Sequence, residues 1–552
     1  MATDYPTNLQ FTSRRSFVCG TKGIVAASQP LAVSAGIEIL RKGGNAADAA
    51  VAVAACLNVT EPSSTGIGGD AFCLFFDAKA KKVRGINGSG RCPSGLTIDR
   101  LQNEFGVKIS DQDASLPPTS VHTVTVPGAA RCWEDTLKKF GTMDFQTVLQ
   151  PAIDLAEKGF PVSPISSHYW QKGSILLHQF PHAHEMLLNG KAPKPGELMK
   201  NPTLAQTFRE LQQHGSKGFY EGRVAQAIVD IHQSLGGTLT LDDLKSHTST
   251  LIDEPIHVNY RGIDVWEIPP NGQGITALMA LKVLEGFDLS SLHHNSPQYL
   301  HLLIESLRIA FADTRYYVAD AEKVHVPIKE MLSSSYAASR RTLINPNKAN
   351  PDITRGYPEN YSSTVYFSIV DGEGNACSFI NSNYMGFGTG IIPKGCGFTL
   401  QNRGANFSLV KGHPNALEPG KRPYHTIIPG MATKDGELWA SFGVMGGFMQ
   451  PQGHVQVLCN MIDHGMDPQA ALDASRFIIM DGTRNGQVYF EEGISQETIQ
   501  ALKQMGHHVE VKPLHSFERS HFGRGQIIRR DPSTGVLIAG SDMRADGQAV
   551  PL

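Results

Sequence analysis

A β-hairpin pattern that begins at Thr364 constrains the fold of this chain more than any other part of its 552 residues. Residues 345–358 are rich in Asn, Pro and Gly, which is typical of an exposed loop. Apolar residues then alternate over 365–369, which predicts a half-buried strand. Residues 371–375 predict a turn, and Ala376 to Ser382 predicts the returning strand.

A threonine between a loop and a buried strand becomes a new N-terminus if the chain is cut in front of it. An N-terminal threonine carries a hydroxyl nucleophile and an amine base in the same residue. By itself the pattern around Thr364 fits an ordinary strand start, because Ser and Thr are common where loops meet strands. Other motifs of the chain favour the catalytic interpretation.

Five further motifs follow one another along the chain. They are Arg41-Lys42-Gly43-Gly44-Asn45-Ala46-Ala47-Asp48, Glu61-Pro62-Ser63-Ser64-Thr65-Gly66-Ile67-Gly68-Gly69, Phe387-Gly388-Thr389-Gly390, Lys421-Arg422-Pro423 and Val444-Met445-Gly446-Gly447. In this order they resemble the gamma-glutamyltransferase (glutathione hydrolase) family of self-cleaving N-terminal-nucleophile enzymes. The resemblance extends from about residue 24 to the C-terminus. Aligned on residues 367–375, the family's nucleophile falls on Thr364, and the cut falls between Ser363 and Thr364.

The pattern of the chain mixes apolar helices with strands, so we expect an α/β (α+β) fold. The residues predict a buried helix over Ala46–Leu57, a strand over Leu438–Phe442 and a helix over Gly453–Gly465. The resemblance implies an αββα sandwich. It also implies two chains after self-cleavage, 1–363 and 364–552, that form one intertwined domain.

The resemblance assigns catalytic roles to three further residues. Gly446 and Gly447 follow a predicted strand, where backbone N–H groups can approach a substrate closely, and in the family this pair forms the oxyanion hole. Ser382 matches the family's hydroxyl residue that bonds the nucleophile, which is usually Thr. The resemblance implies neither a cofactor nor a metal.

The substrate-binding positions depart from the family pattern. Asn406 stands where typical members have the Asp that binds the substrate's α-amino group, and an Asn lacks the negative charge. His425 and Thr426 replace the paired serines that follow Arg-Pro. Asn383 lies one residue from the family's Asn, where this chain has Tyr384. Arg91 lies two residues from the family's carboxylate-binding arginine, so it either binds substrate or forms a surface ion pair.

Three functions follow from this pattern. The first is a self-processed hydrolase or transferase that acts on gamma-glutamyl amides such as glutathione. The second is a glutaryl or cephalosporin-type acylase, or another amidase, on the same scaffold; the short segment between Phe407 and Lys421 favours it, because related acylases also have shortened lids. The third is an unprocessed binding protein, which would not need Thr364, Ser382 and the two glycines.

Composition restricts the partners of the chain. A formal net charge of −3 and the lack of a long basic run indicate no nucleic-acid binding. No stretch of 18 or more apolar residues predicts a membrane span, and the eight scattered cysteines suit a reduced compartment, so we expect a cytoplasmic protein. His178, His182 and His184 lack the spacing of zinc hydrolases, and we predict no metal there. The expected partner is a small amide substrate, with a possible homodimer.

Overall fold

The computed structural model describes residues 15–107, 114–351, 363–480, 486–512 and 517–552. The last residues of the predicted loop before Thr364, 352–362, lie outside these ranges. The strands are β1 (Val18–Gly20), β2 (Ile24–Ala27), β3 (Asp70–Asp77), β4 (Lys82–Gly88), β5 (Phe160–Pro161), β6 (Leu198–Met199), β7 (Thr250–Ile252), β8 (Ile256–Tyr260), β9 (Ile263–Glu267), β10 (Ser363–Val370), β11 (Ala376–Tyr384), β12 (Gly430–Lys434), β13 (Glu437–Met445), β14 (Phe477–Ile479), β15 (Val488–Glu491), β16 (Val509–Lys512), β17 (Arg524–Arg530), β18 (Leu537–Ser541) and β19 (Gln548–Pro551).

The helices lie between and after these strands. The α-helices are α1 (Pro30–Arg41), α2 (Ala46–Thr60), α3 (Ile98–Asn103), α4 (Ala129–Phe140), α5 (Phe145–Val148), α6 (Gln150–Lys158), α7 (Pro164–Leu177), α8 (Pro202–His214), α9 (Lys217–Tyr220), α10 (Gly222–Ser234), α11 (Leu241–Lys245), α12 (Gly274–Leu284), α13 (Pro297–Tyr317), α14 (Ile328–Met331), α15 (Ser334–Arg341), α16 (Met449–Ile462), α17 (Pro468–Asp473) and α18 (Gln496–Gln504). Short 3-10 helices cover Val121–Thr123, Ala183–Met186, Leu289–Ser291, Arg403–Asn406 and Phe517–Phe522.

Two seven-stranded antiparallel sheets form the centre of the molecule. The first has the order β19-β2-β10-β11-β3-β4-β7, and the second has the order β1-β18-β17-β13-β12-β9-β8. The predicted hairpin is confirmed, since β10 and β11 pair in register from Val365 and Asn381 to Val370 and Ala376. It lies in the middle of the first sheet, where every described side chain of both strands is buried.

Helices cover the outer face of each sheet. The buried core of α1, α2 and α4 is continuous with that of the first sheet. The buried core of α12, α13 and α16 is continuous with that of the second sheet. The order helix, sheet, sheet, helix is the predicted αββα sandwich, and it buries apolar strand residues on both faces of each sheet.

Two contacts between β10 and β13 set the register of one sheet on the other. The Ser368 hydroxyl donates to Ser441 Oγ across the interface at 2.5 Å. The Tyr366 ring lies against Gly443, where an added Cβ would be 2.4 Å from a ring carbon. Moving two residues along β10, from Ser368 to Tyr366, therefore corresponds to moving two residues along β13 in the opposite direction, from Ser441 to Gly443.

The helix after β13 begins earlier than the sequence predicts. We expected it to cover Gly453–Gly465, whereas α16 covers Met449–Ile462. Pro451 accounts for the difference, because a proline is accepted in the first turn of a helix, where its missing N–H has no partner to lose. The predicted helix over Ala46–Leu57 is α2, which Asn45 caps by accepting from the N–H groups of Ala47 and Asp48.

In the described part of the chain, no helix combines the length and the apolar character that a membrane crossing requires.

Candidate active site

A β-bulge brings the two predicted hydroxyl residues together. Ser363 pairs with Tyr384 and Val365 with Asn381, so β11 has one residue more than β10 opposite Thr364. Such a bulge changes the direction of side chains at the point where it occurs. Thr364 Oγ1 lies 3.1 Å from Ser382 Oγ, and either hydroxyl can donate. Both residues are fully buried in the uncut chain.

Two N–H groups hold the oxygen of Ser382. The backbone N–H of Tyr384 donates to Ser382 Oγ at 2.9 Å, and Arg403 Nη2 donates to it at 3.2 Å. Tyr384 has a φ of +78°, a left-handed conformation that non-glycine residues seldom adopt. Backbone strain of this kind is found most often at functional sites, where the surrounding structure maintains it.

Arg403 places a buried positive charge beside this hydroxyl pair. Its Nη1 donates to Thr426 Oγ1 at 2.7 Å, and its guanidinium carbon lies 4.5 Å from the centre of the Tyr384 ring. Among the described residues it forms no salt bridge, and its Nε has no hydrogen-bond partner. Burial lowers the pKa of Arg403 to about 10, so the side chain stays charged at neutral pH. Because an unpaired buried charge is costly, it indicates a functional site.

Asp70 is the nearby anion, and its oxygens are occupied. Oδ2 accepts from His425 Nε2 at 2.9 Å. Oδ1 accepts at 2.9 to 3.0 Å from Gly90 N, Gly128 N and Gln401 Nε2. Burial, and then the charge of Arg403, lower the pKa of His425 to about 3. His425 is therefore neutral, and its Nδ1 accepts from the N–H of Ile427 at 3.3 Å.

The two predicted oxyanion-hole glycines form the turn between β13 and α16. Gly446 has a φ of +131° and Gly447 a φ of +58°, a region that favours glycine. Their carbonyls accept from Met449 and Gln450. Within the described ranges, neither glycine N–H donates a hydrogen bond, so both are available to an oxyanion.

Gln273 connects this turn to Thr426, the partner of Arg403. Its Nε2 donates to Gly447 O at 2.9 Å and to Thr426 O at 2.6 Å. The Tyr424 hydroxyl donates to Gln273 Oε1 at 3.0 Å and fixes the amide. One side chain thus holds the glycine turn and the segment after Lys421 at a fixed separation.

The contacts between the two sheets align β10, which carries Thr364, with β13, which ends at the glycine turn. Ser368 lies opposite Ser441 and Tyr366 opposite Gly443. One more step of two residues along each strand leads to Thr364 on β10 and to Met445, the residue directly before the turn, on β13.

Two predicted substrate-binding residues lie elsewhere. Arg91 forms an ion pair with Glu322 at 3.0 Å and donates to Thr248 O at 3.1 Å, which is the surface ion pair that the sequence left open. The Asn383 amide donates to Thr399 Oγ1 at 3.1 Å and is fully buried. The structure brings neither side chain to Thr364.

A pocket opens beside the site. Tyr384, which follows the hydroxyl pair, and Phe448, which follows the glycine turn, both line it. The other lining residues are Ser115, Arg315, Ala405, Asn406, Phe407, Ser408, His413, Asn415 and Tyr424. The short segment after Phe407 folds back and forms one wall of the pocket, because Asn415 Nδ2 donates to Asn406 O at 2.7 Å. The Nδ2 of Asn406 is buried and has no partner among the described residues.

One group in the described chain has side chains that could hold a metal, and it lies outside this site. His301, Glu305 and His507 have ligand atoms within 4.8 Å of one another. His301 Nδ1 is 2.8 Å from His507 Nε2. Arg308 Nη1 lies 3.2 Å from Glu305 and 3.3 Å from His507 Nδ1. The arginine already supplies a positive charge there, so the group is a buried hydrogen-bond network.

The sequence did not identify Arg403, Asp70 or Gln273 as parts of the site. Arg403 lies in the run Gln401-Asn402-Arg403-Gly404, three residues before Asn406. An arginine so close to a predicted substrate-binding residue was the sequence signal that could have identified it. Asp70 directly follows the glycine run Gly66-Ile67-Gly68-Gly69. The glycines of this run allow close packing, since a Cβ on Gly69 would be 2.2 Å from the backbone oxygen of Ser382.

Comparisons with known proteins agree on one family. The gamma-glutamyltranspeptidase family description matches residues 32–552. The glutathione hydrolase-like YwrD proenzyme of Bacillus subtilis (strain 168) is 38% identical over 542 residues, 97% of this chain and 99% of that protein. The acylase ACY 1 proenzyme of Pseudomonas sp. (strain V22) is 33% identical and covers 99% of this chain and 96% of its own. The crystal structure of a cephalosporin acylase from Bacillus halodurans has a TM-score of 0.91, with 42% identity over 100% of this chain and 99% of that chain.

Proposed function

This chain belongs to the gamma-glutamyltranspeptidase family, and we propose that it is a self-cleaving amide hydrolase with Thr364 as its nucleophile. The observation that carries the proposal is the 3.1 Å contact between Thr364 Oγ1 and Ser382 Oγ at a β-bulge. A nucleophile, a hydroxyl that orients it and free backbone N–H groups are the parts that acyl transfer requires.

Maturation uses Thr364 for the first time. Its hydroxyl attacks the carbonyl carbon of Ser363, the peptide C–N bond breaks, and an ester between Ser363 and Thr364 Oγ1 forms. Water then opens the ester, which leaves the chains 1–363 and 364–552. The freed amine of Thr364 has an ordinary pKa of about 7.7–8.0 and can accept a proton at physiological pH.

Turnover uses Thr364 for the second time. Its amine takes the hydroxyl proton as the oxygen attacks the substrate's amide carbonyl, and the N–H groups of Gly446 and Gly447 stabilise the oxyanion. The leaving amine takes the proton, and an acyl ester on Thr364 remains. Water hydrolyses this ester, or an acceptor amine takes the acyl group.

Charge around the site favours acyl amides without an α-ammonium group over gamma-glutamyl amides. Arg403 puts a positive charge within about 6 Å of Thr364 Oγ1, since the two linking contacts are 3.2 and 3.1 Å. Asn406 gives an ammonium group no negative partner, and the lining residues that the structure describes include no Asp or Glu. Gamma-glutamyl amides are the alternative substrate, and the relatives named glutathione hydrolase support it.

Intact mass of the purified protein tests the proposal. A small chain that begins Thr-Val-Tyr-Phe is the expected result. A single mass of 59.9 kDa after prolonged incubation, with no amidase activity, would favour an unprocessed binding protein. Cytoplasmic location, the homodimer and the one intertwined domain of two chains remain predictions.

A further inference from the structure

Gln273 is a fully buried glutamine whose side-chain amide is bonded at both ends. Its Nε2 donates to Thr426 O at 2.6 Å and to Gly447 O at 2.9 Å, and its Oε1 accepts from the Tyr424 hydroxyl at 3.0 Å. Since an amide has two N–H donors and one carbonyl oxygen, these contacts fix which end is nitrogen. The donors of Gln273 therefore face the glycine turn in a single orientation.

The bond to Gly447 O limits the rotation of the glycine turn. The peptide group before Gly447 is held through Gly446 O, which accepts from Met449 N at 3.0 Å. The peptide group after it is held through Gly447 O, which accepts from Gln273 and, at 3.2 Å, from Gln450 N. A glycine rotates freely unless its neighbouring peptide groups are fixed. With both groups fixed, the N–H of Gly447 keeps one direction, which an oxyanion donor requires.

The other bond of Gln273 leads to the nucleophile. Thr426 accepts from Gln273 through its carbonyl and, at 2.7 Å, from Arg403 through its Oγ1. Arg403 donates to Ser382 Oγ at 3.2 Å, and that oxygen lies 3.1 Å from Thr364 Oγ1. A continuous series of polar contacts thus connects the hydroxyl that attacks a carbonyl with the turn that stabilises the resulting negative charge.

Gln273 belongs to the part of the chain before the proposed cut. It is the N-cap residue of α12, and its backbone N–H donates to His425 O at 3.0 Å. The other members of the series, from Thr364 to Gly447, lie after the cut. The chain 1–363 therefore supplies a fixed support for a nucleophile and a turn that both belong to the chain 364–552.

We propose that Gln273 is a positioning residue for the oxyanion hole, which holds the N–H of Gly447 toward the carbonyl that Thr364 attacks. The inference rests on the proposed function and makes it more specific. Gln273 acts through Gly447 and takes no part in bond breaking. Because an oxyanion forms only during the reaction, loss of Gln273 should lower kcat and leave KM almost unchanged.

Gln273→Met tests this role, since methionine has a similar size and no N–H donor. The substrate is gamma-glutamyl or glutaryl p-nitroanilide, whichever the processed wild type hydrolyses faster. Rates are divided by the concentration of cut protein. We expect kcat to fall about 10- to 100-fold, as a small misplacement at an active site can cause, while KM stays within about twofold of the wild type.

Gln456→Met is the matched control. Gln456 is also buried, and its Nε2 also donates to two backbone carbonyls, those of Gln452 and Phe477. Both variants should lose stability in urea unfolding, but Gln456→Met should keep the wild-type kcat. Equal losses of kcat in the two variants would overturn the inference, as would a wild-type kcat in Gln273→Met.

Gln273→Glu gives a second readout that is independent of the methionine variant. A neutral carboxyl keeps one O–H donor for the two carbonyls, whereas an ionised carboxylate keeps none. The kcat of this variant, divided by that of the wild type at the same pH, should therefore fall as the pH rises. A ratio that stays at one, or that rises with pH, would contradict the inference.

Failure of the proposed function would look different. A wild type that stays uncut, or that is cut and hydrolyses neither amide, would overturn the proposed function and the inference with it. Intact mass and the wild-type rate show this before any variant is compared. A cut and active wild type with an unaffected Gln273→Met would overturn the inference alone.

Discussion

Tyr384 is the β-ladder partner of Ser363, the residue on the amino side of the proposed cut. The same tyrosine donates its N–H to Ser382 Oγ and lies over Arg403. Cleavage breaks the peptide bond between this partner, Ser363, and Thr364. The residue that holds the hydroxyl pair in place is therefore also the residue whose surroundings change when the protein matures.

The first prediction concerns Thr364. Thr364→Ala should remain a single chain without amidase activity, because it has no hydroxyl to attack Ser363 or a substrate. Thr364→Ser, which keeps a hydroxyl, should be cut and should retain part of the activity. Denaturing electrophoresis and intact mass give the result, and two chains in the alanine variant would refute the assignment.

The second prediction concerns the glycine turn. Gly447→Ala should lower kcat by about 10²–10³, the usual effect of losing one oxyanion donor, because the added Cβ disfavours the φ of +58° that aims the turn. Gly465→Ala is the matched control, since that glycine has a φ of +64° with open space around it. Steady-state rates that fall equally in both variants would show that general destabilisation, and not the turn, causes the loss.

The third prediction concerns the pH dependence of activity. The positive charge of Arg403 disfavours protonation of the nearby Thr364 amine and so lowers the pKa of that amine. Arg403→Met removes the charge, and the acidic limb of the kcat/KM profile should move upward by about one pH unit. Arg403→Lys keeps the charge and should leave the limb near its wild-type position. A profile that stays in place in Arg403→Met would mean that the guanidinium only supports the structure.

The fourth prediction concerns the missing counter-charge. Asn406→Asp supplies a carboxylate in the pocket, which should attract an α-ammonium group and repel a second carboxylate. We expect the ratio of gamma-glutamyl to glutaryl p-nitroanilide hydrolysis to rise at least tenfold. Asn347→Asp, at an exposed loop position, should leave the ratio unchanged. No rise in the ratio would place the α-amino group elsewhere.

The fifth prediction concerns stability. Asp542 is fully buried, and its Oδ2 and Oδ1 lie 2.7 Å from Arg476 and 3.0 Å from Arg544. Asp542→Asn should cost about 3–5 kcal/mol of unfolding free energy at pH 7, because it removes the carboxylate that pairs with the buried Arg476, whereas Arg544 keeps its ion pair with Glu491. Urea unfolding measures the loss, and Asp253→Asn, at an exposed position, should cost little.

The same carboxylate gives the pH trend of the wild type. Burial alone would raise the pKa of Asp542, but Arg476 and Arg544 lower it to about 2. In the unfolded chain the pKa of an aspartate is about 3.9. The contribution of Asp542 is therefore complete above about pH 4 and is lost as the pH falls toward 2. A stability that did not decline over that interval would contradict the assignment.

Local patterns predicted the hairpin well, because alternation and turn residues act over short distances, whereas the αββα sandwich was implied by the family resemblance. The hairpin around Thr364 is one example, and the cap of α2 at Asn45 is another. Roles that depend on long-range packing were harder to predict. Arg403 contacts Ser382 only because the segment between them folds back. Arg91 likewise contacts Glu322, which is 231 residues away in sequence.

His425 illustrates the same limit. Its position after Arg422-Pro423 predicted contact with substrate, and this remains a prediction. The structure gives both ring nitrogens other partners, Asp70 and the N–H of Ile427. Asp70 is 355 residues away in sequence, so no local pattern could have revealed the pair.

The order of strands in the two sheets affects whether the cleaved protein can refold. In the first sheet, β2 of the leading part lies between β19 and β10 of the trailing part, and the second sheet also contains strands of both. Once the chain is severed, refolding requires two separate polypeptides to find each other and interleave. We therefore expect unfolding of the mature enzyme to be irreversible. Only the uncut, newly synthesised precursor should fold efficiently into the active structure.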